Sequence, residues 1–185
     1  MIELKIRGRG GQGAVVASEM LGKACFLEGK YPQSFSVFGG ERRGAPVFGY
    51  LRVDSERILL KCQIQRPDHE IVFDLSLVNE LEILQELKPG GILLINTGSG
   101  IDEFPKLRAF RLGLVNASAI ARSLGLEANF NTAVLGAYVR LTGLVKMETL
   151  IQALKGMLPA KVEENIDALR QGYEKVKMHL PQEMK

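Results

Sequence analysis

The sequence contains no tryptophan, two cysteines and two histidines, and 6% of its residues are aromatic. Two cysteines cannot by themselves supply a four-cysteine cluster or a zinc site. Cys25 and Cys62 are also too far apart to form a C-x-x-C pair. Both read as small buried hydrophobes in a reducing compartment. His69 and His179 have no acid or cysteine at a spacing that suggests a metal site or a catalytic triad. His69, after Pro67-Asp68, reads as a turn or strand-edge residue rather than a general base. No apolar run approaches the roughly 20 residues that span a bilayer. Met1 runs directly into "IELKIR", with no leader-like apolar core. The net charge of +3 is too small to argue for nucleic acid or a membrane surface. A cytoplasmic globular chain is the expectation.

The rest of the composition is ordinary for such a chain: 46% hydrophobic and 24% charged. The 185 residues suit one domain, 1–185, with a sizeable core. In "MIELKIR", Ile2, Leu4 and Ile6 alternate with Glu3, Lys5 and Arg7, the period of a strand. Its polar face must meet solvent, a polar network or a partner. Residues 13 to 28 read as a helix with Val16, Met20, Ala24 and Leu27 as a stripe, stopped by Gly29. "QSFSVFGG", "PVFGYLRVD" and "RILLKCQIQ" read as strands. "EIVFD" and "GGILLIN" are continuous apolar runs typical of central parallel strands, with a helix from Leu75 to Leu87 between them. "LRAFRLG" suggests a further strand and Asn116 to Leu124 a helix. Helices follow at 131 to 142 and 147 to 155. The last helix carries Val162, Ile166, Leu169, Tyr173, Val176 and Leu180 on one stripe and ends at Pro181. The pattern predicts a three-layer α/β/α, Rossmann-like domain with a mostly parallel, mixed sheet and a helical C-terminal third.

Between the first strand and the first helix lies "GRGGQG", with the spacing G-x-G-x-x-G. Gly8, Gly10, Gly11 and Gly13 permit a tight turn that aims backbone N–H groups at an anion, in front of a helix dipole. Arg9 and Gln12 could add donors. The same glycines could instead serve only close packing of strand, turn and helix, and the loop alone does not decide between the two. The nicotinamide version lacks its acid: Tyr31 to Phe38 contain no Asp or Glu. A P-loop would need Gly-Lys-Ser/Thr, which is absent. A second motif is "FGGERRGAP". Its adjacent guanidiniums, Arg42 and Arg43, either complete an anion site over the first loop or form salt bridges with Glu41 or another subunit. Asp74 and Asn96 end the expected parallel strands, where ligands bind in open α/β folds, or they cap the next turn. Asn131 reads as an N-cap.

"GRGGQGAVVASEML" followed by "FGGERRGAPVFGYLRV" resembles the gamma subunit of the 2-oxoacid:ferredoxin oxidoreductases, the pyruvate (pyruvate synthase) and 2-oxoisovalerate branches above all. "RPDHEIVFD", "LKPGGILLIN", "NFNTAVLGAYVRLTG" and "AKVEENIDALRQGYE" follow in the family's order, so the resemblance spans almost the whole chain. "ERRGAPV" leans toward pyruvate over 2-oxoglutarate. The resemblance implies an enzyme that oxidatively decarboxylates a 2-oxoacid with coenzyme A to acyl-CoA and CO2 and reduces ferredoxin. It implies alpha, beta and delta partner subunits in a heterotetramer. Thiamine diphosphate, Mg and iron–sulfur clusters would belong to those partners. This chain would then have no catalytic residue, metal or redox centre and would be inactive alone. Coenzyme A is the one cofactor it could meet, with its phosphates on Gly8, Arg9, Gly10, Gly11, Gln12 and Gly13 together with Arg42 and Arg43. The competing readings are a purely structural subunit and a free-standing nucleotide-binding protein.

Overall fold

The computed structural model describes residues 1–38, 45–127 and 129–181. The alternation in the first strand sets the arrangement of the rest. β1 (Ile2–Arg9) turns Leu4 and Ile6 into the larger apolar core and Lys5 and Arg7 to the opposite face. Around it lie β2 (Tyr31–Phe38), β3 (Pro46–Asp54), β4 (His69–Val72), β5 (Ile92–Asn96), β6 (Arg111–Val115) and β7 (Lys177–His179). The sheet order is β2-β3-β1-β4-β5-β6-β7. The four central strands β1, β4, β5 and β6 are parallel; β3 and β2 on one flank and β7 on the other run antiparallel to their neighbours.

Both faces of the parallel strands are covered, which explains why β5 and β6 are apolar apart from Asn96 and Arg111 at their ends. One face carries α1 (Ala14–Leu27), α3 (Ala117–Ser123), α4 (Asn131–Thr142), α5 (Met147–Lys155) and α6 (Val162–Lys175), all contributing to one core cluster. The other carries α2 (Glu80–Glu86) and the turns around Phe104, Leu107 and Phe110. The expected three-layer, mixed α/β architecture is thus the one observed. The polar face of β1 meets a buried ionic network. Arg7 bonds Glu70 of β4, and also Glu82 at 2.7 Å and Glu86 at 2.9 Å from α2. Lys5 reaches Glu86 at 2.6 Å, and Arg52 of β3 reaches Glu3 at 2.9 Å. Glu70 is fully buried, and burial pushes its carboxyl up against the pull of Arg7 and Lys5.

Several expected elements differ in detail. Arg57–Gln65 forms no strand: β3 ends at the edge of the sheet where β4 begins, so the connection must pass the start of β1. Ile64 is buried, whereas Leu60 and Cys62 are exposed. Cys62 is therefore not a buried hydrophobe; its Sγ accepts from Arg52 at 3.7 Å. Cys25 is buried, and burial pushes its thiol up to about 11. The helix expected over 75–87 is split. Asp74 accepts from the Ser76 amide and caps a short turn at Leu75–Leu77; Asn79 then accepts from the Glu82 amide and caps α2. In "LRAFRLG", the strand starts only at Arg111, after a turn over Pro105–Ala109. α1 buries Ala17, Met20, Leu21, Ala24 and Cys25, while Val16 and Leu27 of the expected stripe face outward. Gly29 ends α1 as expected, at φ 77°, with the Lys30 amide donating to Cys25 O. α6 stops at Lys175, before Pro181. "KVKMHL" also alternates, and Lys177–His179 satisfies the open edge of β6.

α4 is buried nearly all round. It crosses α6 at two glycines. A Cβ on Gly136 would lie 1.8 Å from Leu169 O, and one on Gly172 would lie 1.8 Å from Ala133 O. Backbone therefore meets backbone, and no side chain can yield. Gly136→Ala should lower unfolding free energy by about 3 kcal/mol, measured by urea denaturation. Of the two expected placements, turn or strand edge, His69 takes the second, as the first residue of the central strand β4; its Nδ1 lies 2.7 Å from the buried Tyr138 hydroxyl on α4. Burial lowers its imidazole to about 4. The unfolded chain then binds the proton first as the pH falls. Stability should rise with pH between about 4 and the ordinary histidine value near 6.5. His69→Gln should flatten that slope in unfolding measurements at several pH values.

Candidate functional site

β1 runs into the glycine turn at Arg9. The Gln12 amide donates to Arg9 O at 3.0 Å and closes the turn; Gly11 and Gly13 sit at φ 95° and 79°, left-handed geometry that suits glycine. The glycines divide their work. A Cβ on Gly8 would touch Ala14 Cβ at 3.0 Å, so Gly8 serves strand–helix packing. A Cβ on Gly11 would meet nothing within 4 Å, so that position faces open space. Gly10 donates to Ala45 O at 3.1 Å and Arg9 pairs with Pro46, so β3 re-enters beside the turn. Arg42 and Arg43, just before that return, lie outside the described residues.

The turn is braced from β4. Gln12 Oε1 accepts from the Arg9 amide at 2.8 Å, and Gln12 Nε2 donates to Asp74 Oδ2 at 2.9 Å. Arg9 Nε donates to the same oxygen at 3.1 Å, and its Nη2 donates to Ser76 Oγ at 2.6 Å. Burial opposes ionisation of Asp74, yet hydrogen bonds from Ser76 and Gln12 and the charge of Arg9 hold its carboxyl below the ordinary range. Of the two strand-end residues, Asp74 is thus a brace. Asn96 is buried and spent: it donates to Phe73 O and Ser118 Oγ, each at 3.0 Å, and accepts from the Ala117 amide.

The turn opens onto a cleft of about 620 Å³. Arg9, Gly10, Gly11 and Gly13 line one wall. Leu158, Pro159, Lys161, Asn131 and Asn165 line the other, and Val16 and Leu126 give it an apolar side. Three helix starts meet here: α1 behind Gly13, α4 at Asn131 and α6 behind Lys161. None has a side-chain cap, and α1 and α4 carry no acid in the first turn. The amides and dipoles of α1 and α4 make the cleft attractive to anions, while Glu163 and Glu164 in the first turn of α6 offset the third. Lys161 at φ 53° and Glu127 at φ 52° are the only non-glycine residues with positive φ among those described, and both belong to the far wall or its approach. Lys161 Nζ donates to Gly125 O at 2.6 Å. Asn131 is not the cap it reads as in the sequence. Phe130 holds that position, and Asn131 is the first helical residue. No sequence spacing links Asn131, Lys161 and Asn165 to the glycines; the packing of α4 and α6 beside α1 brings them together. Among the described residues no group of three or more His, Cys, Asp or Glu could hold a metal, and no helix is long and apolar enough to cross a membrane.

The model of the family described as pyruvate ferredoxin/flavodoxin oxidoreductase matches residues 3–175. The chain belongs to this family. It is 44% identical over 183 residues to the pyruvate/ketoisovalerate oxidoreductases common subunit gamma of Pyrococcus furiosus, covering 96% of this chain and 98% of that one. It is 42% identical over 180 residues to pyruvate synthase subunit PorC of Methanothermobacter marburgensis, with 96% and 98% covered. The crystal structure of pyruvate oxidoreductase subunit PORC from Thermotoga maritima superposes with a TM-score of 0.84 at 33% identity, over 96% and 97% of the two chains. The expected family is therefore the one found, and the chain is a gamma-type subunit of a 2-oxoacid:ferredoxin oxidoreductase, an enzyme complex.

The Asp74 brace is testable. Asp74→Asn keeps the shape and loses the charge-assisted bonds. Stability at neutral pH should fall by about 1–2 kcal/mol, and amide exchange at residues 10–13 should quicken. Because the folded carboxyl titrates low, the deficit should be full above the ordinary carboxylate range and shrink as the pH falls through it.

Proposed function

We propose that this subunit presents the coenzyme A phosphates to a complex that converts a 2-oxoacid, pyruvate in the first place, to acyl-CoA and CO2 with reduction of ferredoxin. The observation that carries the reading is the convergence of three uncapped helix starts on one cleft, with Arg9 and Lys161 on opposite walls. Arg9, Gly10, Gly11 and Gly13 line one wall, Gly8 and Gln12 hold that turn in place, and in this reading Arg42 and Arg43, which lie outside the described residues, supply further guanidiniums for the phosphates. The apolar side at Val16 and Leu126 suits the uncharged part of such a ligand. Alpha, beta and delta subunits supply thiamine diphosphate, Mg and the iron–sulfur clusters. Cys25, buried on α1, and Cys62, exposed after β3, make no cluster set. The relatives' names fit both a pyruvate and a 2-oxoisovalerate partner set.

The packing roles of Gly8 and Gly13 favour a second reading, a subunit that serves assembly alone. Titration of the assembled enzyme with coenzyme A separates the two. Arg42→Ala/Arg43→Ala should weaken coenzyme A binding about tenfold or more with the complex intact. Unchanged affinity would leave the structural role.

A further inference from the structure

We infer that Asn131 is a ligand-binding residue of the cleft, its carboxamide N–H donating to a phosphate oxygen held above the Gly13 turn. The inference rests on the anion reading of the cleft and adds to it a residue that the glycine and arginine motifs do not contain. Asn131 is 8% exposed, and what exposure it has lies on the cleft. Its Oδ1 is used, accepting the Thr132 amide at 3.0 Å. Its Nδ2 has no partner among the described residues. Amide donors on mostly buried side chains are usually paired within the protein, and Asn131 Nδ2, which is not among the fully enclosed unpaired atoms, is instead open to whatever occupies the cleft.

The two other buried asparagines follow that rule. Asn165 Nδ2 donates to Lys161 O at 2.8 Å and its Oδ1 accepts from Thr132 Oγ1 at 3.0 Å, while Asn96 uses both ends of its amide. Asn131 departs from the rule at the one place where the chain has cleared room for it. A Cβ on Gly13 would lie 2.7 Å from Asn131 Nδ2. Gly13 is therefore required twice, by its positive φ and by the amide facing it. As the first residue of α4, Asn131 also brings the helix's free N–H groups to the same point. A neutral donor beside helix starts and Lys161 matches an oxyanion, since the open end of that amide is an N–H and its Oδ1 is engaged by Thr132.

The test uses the assembled oxidoreductase. Asn131→Asp keeps the size and the oxygen that accepts from Thr132, but replaces the donor with a negative charge. Asn131→Ser shortens the side chain without adding charge. Equilibrium binding of coenzyme A should weaken about tenfold or more in the first and about threefold in the second. The kinetic loss should fall on KM for coenzyme A and not on KM for the oxoacid. Unchanged coenzyme A affinity in both variants overturns the inference, as does loss of assembly in both, which would make Asn131 structural. If Arg42→Ala/Arg43→Ala weakens coenzyme A binding while both Asn131 variants bind normally, only this inference falls. If all three bind normally, the coenzyme A reading falls with it.

Discussion

The ion pair between Arg7 and Glu70 joins β1 to β4, and much of the architecture depends on it. Arg7 exposes 4% of its side chain and Glu70 none. A pair buried this deeply is poor evidence for stability, because desolvation consumes much of the attraction. Its effect is better read as specificity. A slip of β1 by one residue would drive Lys5 and Arg7 into the cluster now filled by Leu4 and Ile6. With Glu82 and Glu86 on the same guanidinium, α2 is fixed to the underside of the sheet. The next residue after Arg7 is Gly8. The charge network thus anchors β1 two residues before the strand ends at Arg9 and enters the glycine turn.

From that turn outward, the site is assembled by strands that are distant in sequence. Asp74, at the end of β4, receives Gln12 and Arg9. Neither Asp74 nor Gln12 lines the cleft, so the turn is held by groups outside it. Glycine alone would leave such a loop free to move. The carboxylate brace fixes it without occupying the cleft. This is the arrangement expected of a backbone anion site organised before its ligand arrives.

The sequence made the strand positions legible wherever both faces of a strand are buried, as in "EIVFD" and "GGILLIN". It misled where an apolar alternation has no place in the ladder, as at Arg57–Gln65, and where one run fits two periods, as at "KVKMHL". Capping residues decided the break at Asn79, a local signal that the apolar periodicity of 75–87 overrides on paper. The glycine half of the cleft could be read from spacing, because a turn between a strand and a helix is local. The far wall could not. Lys161 and Asn131 reach the cleft only because α4 and α6 pack where they do. Nothing in "NFNTAVLG" distinguishes a capping asparagine from one turned toward a cleft.

That packing is the remaining step between fold and site. Gly136 and Gly172 let α4 and α6 approach at backbone distance. The same approach brings Thr132 Oγ1 to Asn165 Oδ1, and Asn165 Nδ2 to Lys161 O. The first turn of α4 is therefore tied to the first turn of α6 through one asparagine. The left-handed backbone of Lys161 is a cost of order 1 kcal/mol for a residue other than glycine. It is held there by the Asn165 bond and by the Lys161 contact to Gly125. A helix crossing set by two missing side chains thus determines where a lysine and an asparagine face the glycine turn. The far wall of the cleft is thus the exposed edge of the core that α4 and α6 share.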